Sequence, residues 1–307
     1  MKTKVVVTGG AGFIGSNLVR ELVAKNYDVH VIDNLVGGKK EAVHPSATLH
    51  VADITNLSEI SPIFVGAKYV FHLAALPRVQ YSIENPEKTN NVNANGTLNV
   101  LIASKQADVK RLVYSASSSA YGDQVVMPLN ESLPANPKSP YGLQKYIGEL
   151  MCRVWSEVYG LPTVCLRYFN VYGPGQSEEG AYALVIARFL KQKREGTALT
   201  IVGDGEQTRD FTSVHDVVRA NILAAETENP IAEKGEVFNI GAGKNYSVNA
   251  IAKMIGGKTE HIPARLEPKH TLADNSKAKK ILGWEPKVSF EQGIAELVST
   301  ESPQKNS

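Results

Sequence analysis

A tyrosine and a lysine four residues apart, in Ser139-Pro140-Tyr141-Gly142-Leu143-Gln144-Lys145, have the types and spacing for proton transfer. Residues four apart share one face of a helix. A free phenol titrates near pH 10 and is a poor base at neutrality. A neighbouring ammonium, together with the positive ring of an oxidised nicotinamide, favours the phenolate and brings it toward the working range. Ser139 suits the N-cap of that helix and Pro140 its first position. Upstream, Tyr114-Ser115-Ala116-Ser117-Ser118-Ser119-Ala120-Tyr121-Gly122 follows a strand with a row of hydroxyls. One serine there can hydrogen-bond the reacting hydroxyl and share its proton.

The second cluster is made of glycines. In Val5-Val6-Val7-Thr8-Gly9-Gly10-Ala11-Gly12-Phe13-Ile14-Gly15-Ser16, both Gly10/Gly12/Gly15 and Gly9/Gly12/Gly15 satisfy nucleotide-loop spacings. Glycine allows a tight turn, close approach of backbone to pyrophosphate, and helix–strand packing. The phosphates then sit on amides at a helix N-terminus, with Phe13 and Ile14 in its first turn. Asp33 ends the next strand; its carboxylate can accept both ribose hydroxyls of NAD and would repel the 2′-phosphate of NADP. Asn34 adjoins it. Asp53, before Ile54, either touches the adenine amine or caps the following helix.

Positioning these groups requires strands alternating with helices. Val5–Thr8, Val29–Asp33, Leu49–Asp53, Tyr69–Leu73, Arg111–Ser115 and Thr163–Tyr168 read as strands, mostly continuously apolar as in a parallel sheet buried on both faces. Segments 13–26, 86–105 and 141–159 have helical period and suffice for crossovers. The pattern is α/β: a Rossmann-like, doubly wound parallel sheet with a smaller C-terminal α/β substrate lobe. After Tyr172-Gly173-Pro174-Gly175-Gln176 the rhythm shortens, with a helix near 181–193, a strand near 199–202, and turns at Gly203–Gly205 and Gly241–Gly243. Residues 1–171 are expected to form the NAD domain and 172–307 the substrate lobe, with a segment such as 237–241 returning to the first. Residues after about Thr300 read as a frayed tail.

Composition bounds the function classes. The chain has 307 residues, 43% of them apolar and 21% charged, as expected of a globular protein of about two domains. Its formal charge of +2 gives no electrostatic reason to expect nucleic acid or a membrane as partner. No run of 18 apolar residues offers a spanning helix, and glycines interrupt the N-terminal valines before a signal peptide can form. Cys152 and Cys165 are too few for a disulfide framework and match no zinc spacing. Two reduced thiols fit a cytoplasmic protein, and no metal site is expected.

With these motifs in place, the chain resembles the extended short-chain dehydrogenase/reductase superfamily, and within it the UDP-galactose 4-epimerase type of nucleotide-sugar 4-epimerase. The resemblance runs from the glycine loop to Leu282-Gly283-Trp284. It implies bound NAD, a UDP-sugar substrate, and a homodimer formed through the helices near 93–105 and 141–159. It also implies roles for individual residues. Tyr141 is the base, Lys145 its partner on the nicotinamide ribose, and Ser117, four residues before Tyr121, the catalytic serine, with Ser118 and Ser119 beside it. Ser115, Asn93 and His72-Leu73-Ala74-Ala75 face the cofactor. In Leu166-Arg167-Tyr168-Phe169-Asn170-Val171-Tyr172-Gly173, Tyr168 faces the cofactor amide and Asn170 the sugar diphosphate. In Gly205-Glu206-Gln207-Thr208-Arg209-Asp210-Phe211, Arg209 pairs with the diphosphate, a ligand that suits a bidentate guanidinium.

The serine segment separates this chain from relatives that eliminate water or carbon dioxide. Those look like Thr-Asp-Glu, or carry a glutamate, where this chain has Ser117-Ser118-Ser119-Ala120. Two departures stand out. In Pro263-Ala264-Arg265-Leu266-Glu267-Pro268-Lys269-His270, Arg265 lies one residue later than the family's diphosphate arginine. Thr271, three before Asp274, occupies the gate position for the sugar 2-substituent, and a small residue there leaves room for an N-acetyl group. The expected activity is 4-epimerisation of UDP-glucose/UDP-galactose and also of UDP-GlcNAc/UDP-GalNAc. The alternatives are a UDP-glucuronate 4-epimerase and a non-catalytic NAD-binding scaffold; the intact Ser117, Tyr141 and Lys145 argue against the latter.

Overall fold

The computed structural model describes residues 2–177, 185–264 and 269–301. Seven parallel strands form the central sheet: β1 (Lys4–Thr8), β2 (Asp28–Asp33), β3 (Thr48–Val51), β4 (Tyr69–His72), β5 (Arg111–Ser117), β6 (Thr163–Tyr168) and β11 (Lys234–Ile240). Their spatial order is β3-β2-β1-β4-β5-β6-β11, with every neighbouring pair parallel. The order reverses between β1 and β4, and ligands of such sheets bind outside the carboxyl ends at that point. Both the glycine loop and the His72–Ala75 segment emerge there.

Alternation along the strands separates two cores. Val5, Val7, Val29, Val31, Phe71, Val164, Leu166 and Phe238 face helices α1 (Phe13–Ala24) and α8 (Val214–Glu226). Val6, Ile32, Val70, Leu112, Tyr114 and Cys165 face the opposite layer. That layer holds α2 (Leu57–Phe64), α5 (Gly96–Gln106) and α6 (Pro140–Tyr159). Ahead of α5 come α3 (Val79–Glu84), α4 (Pro86–Asn90) and a π-helical segment, Asn91–Asn95.

The C-terminal lobe has its own core around Tyr172, Phe189, Leu199, Ile201, Phe211, Ile251 and Phe290. Helices α7 (Val185–Arg194), α9 (Val248–Ile255) and α11 (Phe290–Glu301) build it, while α10 (Ser276–Leu282) packs through Ala278 and Leu282 on the core beside α8. Three small strand pairs accompany them: β7 (Val171–Tyr172) with β10 (Thr212–Ser213), β9 (Thr208–Asp210) with β12 (Asn245–Ser247), and β8 (Leu199–Val202) with β13 (Thr259–Ile262). Trp284 is fully buried and its indole N–H donates to Asp216 O at 2.9 Å, fastening the chain after α10 onto α8.

Several boundaries differ from those expected. The third strand stops at Val51, because Asp53 turns the chain by accepting from Thr55 N (2.8 Å) and Thr55 Oγ (2.7 Å). The fifth extends to Ser117, paired with Tyr168. Helices α2 and α3 were not legible: each is short, and α2 contains Pro62. Of the helix expected at 181–193, residues 181–184 lie outside the described residues, as do most of the expected tail and Arg265. The segment 237–241 lies largely in β11, in the central sheet.

Candidate active site

The glycine loop follows β1 because only glycine fits it. Gly9 has φ +72°, and a Cβ on it would lie 2.6 Å from Ala74 N; one on Gly15 would lie 2.1 Å from Gly9 O. At Gly12 a Cβ would meet only Gly9 O at 3.3 Å. There the missing side chain keeps the outer face of the loop open to a ligand. Gly12 is also the N-cap of α1, where it offers no side-chain cap, and the first turn carries no acidic residue. The helix therefore presents its N-terminal amides to an anion. Phe13 and Ile14 are half-buried and pack on the core beneath.

Asp33 is oriented by its own loop. Oδ2 accepts from Ala11 N at 3.0 Å and Oδ1 from Leu35 N at 2.8 Å. Each oxygen keeps a further lone pair, which is what two ribose hydroxyls require. Asn34 donates to Asp53 Oδ2 at 2.8 Å. Asp53 is not a helix cap; Asn56 holds that position. Burial raises the Asp53 carboxyl, but the bonds from Thr55 and Asn34 outweigh it and hold the group below its ordinary value. Ile54 is buried against Gly96, whose Cβ position lies 2.6 Å from Ile54 Cδ1. Leu73, Ala74 and Ala75 are half-buried where the chain leaves β4, with Ala74 N donating to Thr8 Oγ at 3.2 Å. A strand-end loop, an open helix N-terminus and a carboxylate placed for ribose together fit a dinucleotide.

Helix α6 begins as its sequence requires. Ser139 accepts from Gly142 N at 3.1 Å and Pro140 opens the first turn. The Ser82 hydroxyl accepts from Tyr141 N at 3.0 Å. Tyr141 is pushed up to about 12 by burial, opposed by a hydrogen bond from Ser117. Ser117 Oγ is itself 2.7 Å from Ser119 Oγ, and Ser118 opens the helical turn that follows. Lys145 is 4% exposed. Its ammonium donates to Ser115 O at 2.7 Å and lies 5.0 Å from the centre of the Tyr114 ring. Burial lowers it to about 8, with Cys152 and Glu149 opposing. The ammonium is directed at a carbonyl, and desolvation dominates the tyrosine in the protein alone.

Sequence reasoning named Asn93, His72 and Tyr168 but missed the partners that hold them and this pair. Asn93, in the π-helical segment, accepts from Leu76 N (2.7 Å) and donates to Gln144 Oε1 (2.8 Å); Gln144 in turn donates to Thr89 Oγ (3.0 Å). Asn93 is thereby committed to fixing α6. His72 lies fully buried between Thr8 Oγ (2.7 Å from Nδ1) and Thr97 Oγ (2.9 Å from Nε2). Thr97 spends its proton on Asn93 O, so His72 donates through Nε2 and accepts at Nδ1. Burial pushes it down to about 3, which leaves it neutral. The Tyr168 hydroxyl sits between Ser115 Oγ (3.0 Å) and Asn221 Nδ2 (2.8 Å). Only its main chain is left to meet a cofactor amide. Glu149 accepts from Arg167 Nε (2.8 Å) and Nη2 (2.6 Å), pinning α6 to β6. Asn221 and Thr89 carry no local signal, since their partners lie 53 and 55 residues away.

After β6, Asn170 has φ +26° and donates to Asp210 O at 3.0 Å. Arg209, half-buried on β9 opposite Tyr246, donates to Thr208 O at 2.9 Å. Thr271 N donates to Thr208 O at 3.1 Å, so Thr271, expected at the gate position, and Arg209 share one strand edge. Among the described residues no group of three or more His, Cys, Asp or Glu could hold a metal ion. No helix there is long and apolar enough to cross a membrane.

The NAD dependent epimerase/dehydratase family matches residues 5–241. The chain is similar to a UDP-glucose 4-epimerase of Thermotoga maritima solved with UDP-glucose: 39% identical, TM-score 0.92, covering 97% of this chain and 98% of that one. It is similar to a UDP-N-acetylglucosamine 4-epimerase of Methanobrevibacter ruminantium in complex with UDP-N-acetylmuramic acid (38%, TM-score 0.92, 97% and 98%). It is also similar to a UDP-glucuronic acid 4-epimerase of Bacillus cereus with UDP-glucuronic acid and NAD (33%, TM-score 0.88, 97% and 99%).

Proposed function

The chain belongs to the NAD dependent epimerase/dehydratase family, and from that premise we propose that it inverts C4 of neutral UDP-hexoses. The proposed substrates are UDP-glucose/UDP-galactose and UDP-GlcNAc/UDP-GalNAc. NAD is its cofactor and a UDP-sugar its substrate class. The observation that carries the reading is Tyr141, Ser117 and Lys145 gathered at the carboxyl end of β5 with no carboxylic acid in Ser117–Ala120.

The glycine loop and Asp33 would hold the dinucleotide, with Lys145 and Ser115 at its nicotinamide end. NAD, when bound there, supplies a hydride acceptor at C4 that can return the hydride to the other face. Ser117 orients the 4-hydroxyl and Tyr141 takes its proton, then gives it back after the 4-keto sugar has turned over. The chain's contribution is positioning and proton transfer. Asn170, Arg209 and Arg265, the last one residue past the family's arginine position, would hold the diphosphate while the sugar turns. Because NAD is regenerated in each turnover, it is proposed to stay tightly bound. Thr271, smaller than a tyrosine, supports acceptance of a 2-acetamido group.

Leu143, Val154, Val158 and Tyr159 leave an exposed apolar face on α6, which supports the proposed homodimer through this helix and α5. Free, buried Cys152 and Cys165 fit the proposed cytoplasmic location. The test is separate incubation with UDP-glucose, UDP-GlcNAc and UDP-glucuronate, resolving epimers by NMR. The reading predicts conversion of both neutral sugars; conversion of the glucuronate alone contradicts it.

A further inference from the structure

We propose that Asp210 is a positioning residue for the nucleotide sugar: its buried carboxylate clamps three separate segments so that Arg209 and Thr271 face the ligand together. The proposal rests on the UDP-sugar reading and names the group that sets affinity within it. Asp210 is fully buried at the end of β9, beside Arg209. Its Oδ1 accepts from Ala242 N at 2.8 Å, and its Oδ2 accepts from Gly243 N at 2.9 Å and Ala273 N at 3.0 Å. Ala242 and Gly243 form the turn after β11, the last strand of the central sheet, and Ala273 follows the gate position by two residues. The main chain of Asp210 extends the clamp: its carbonyl accepts from Asn170 Nδ2 and its N–H donates to Thr271 Oγ at 3.4 Å. The segments meet too closely for ordinary residues, since a Cβ on Gly241 would lie 2.3 Å from Ala273 Cβ.

Three N–H groups converging on two oxygens require a carboxylate. An asparagine has a single acceptor oxygen and would turn an NH₂ toward an N–H donor. Burial pushes the carboxyl up to about 6 against the pull of the three amides. With the folded value above the unfolded one near 3.9, its favourable contribution to folding is full below about pH 4 and lost as pH rises through about 6. At neutral pH the ionised group opposes folding, while it orders the segments that carry Arg209 and Thr271. The charged and titratable groups around it are Arg209 on its own strand, Tyr246 on β12, Lys244 and Asp274 on the flanking turns, and His270 beside Thr208.

The experiment compares wild type with Asp210→Asn. KM for UDP-glucose and UDP-GlcNAc at pH 7.5 should rise about tenfold or more, with kcat within about threefold and NAD content unchanged. In wild type, KM should rise about fourfold from pH 7.5 to 5.5 as the carboxylate is protonated, while the variant stays flat. Calorimetric binding of UDP-glucose to wild type over the same range gives that dependence even if the variant fails to fold. Amide exchange at Ala242, Gly243 and Ala273, relative to intrinsic rates, should be slow in wild type and lose that protection in the variant, whatever the substrate. Unchanged KM in the variant, loss of kcat and NAD together, or pH dependence that persists in it (pointing to His270) would overturn the proposal. Wild type that epimerises no UDP-sugar, yet shows protection at these amides that the variant loses, overturns the functional reading and leaves the clamp.

Discussion

The Lys145 ammonium donates to the main-chain oxygen of Ser115 at 2.7 Å, which ties helix α6 to strand β5 two residues before Ser117. One hydrogen bond thus fixes the register between Tyr141, the proposed proton acceptor, and Ser117, proposed to orient the reacting hydroxyl. It also holds a positive charge where water does not reach. Both consequences can be measured.

Burying this ammonium opposes folding at neutral pH. Its folded value is about 8 against about 10.4 unfolded. Between those values the unfolded chain binds more protons, so stability rises as pH climbs from about 8 to above 10, and the benefit is lost as pH falls through 8. The cost at pH 7 is on the order of 3 kcal/mol. Lys145→Met should therefore melt higher than wild type at pH 7, by a margin that narrows at pH 9, while its epimerase activity falls at least a hundredfold. Calorimetric scans at the two pH values check this.

The glycine loop distinguishes two kinds of requirement. Gly15→Ala places a methyl 2.1 Å from Gly9 O and should abolish the fold of the loop. Gly12→Ala meets only Gly9 O at 3.3 Å, so it should fold with a nearly unchanged melting midpoint. It should nevertheless retain several-fold less NAD, because its methyl occupies the approach to the pyrophosphate. NAD released on denaturation of each purified variant is the measurement.

Arg111 is fully buried at the start of β5. Nη1 donates to Ala225 O and Thr227 O, both at 2.7 Å, and Nη2 pairs with Glu233, so the side chain caps the C-terminus of α8. Arg111→Ala leaves these acceptors unpaired and should cost about 3–5 kcal/mol. Lysine should rescue little, because it cannot fork between two carbonyls and a carboxylate. Denaturant midpoints test this, with catalysis by the folded fraction unaffected.

What was readable in the sequence was local. The loop Gly9–Gly15, the strand ending at Asp33, the capped start of α6 and the Tyr141/Lys145 spacing each depend on contiguous residues, and the strands at Val5–Thr8 and Thr163–Tyr168 are nearly as expected. Arg111, Asn221 and Gln144 were illegible because their partners are set by sheet order and not by neighbours in the chain; Arg111 reaches residues more than 110 positions away. Lys145 illustrates both cases. Its place on the helix was legible, but the carbonyl it points to was not.

Tyr141 takes the central chemical role in the proposal. Tyr141→Phe removes the proposed proton acceptor and little else, since the phenol's neighbour is the Ser117 hydroxyl. It should lower kcat by roughly a thousandfold or more, with KM for UDP-sugars changed less than about threefold. A matched fall in affinity, measured by titration with UDP-glucose, would assign Tyr141 to binding instead.

The central claim, transient oxidation at C4 with return of the same hydrogen, is tested most directly with UDP-glucose carrying deuterium at C4. The account predicts that the UDP-galactose formed retains the label at C4, with none lost to water and none exchanged between substrate molecules. Label washed out into solvent would show inversion through a carbanion at C4, and would contradict it.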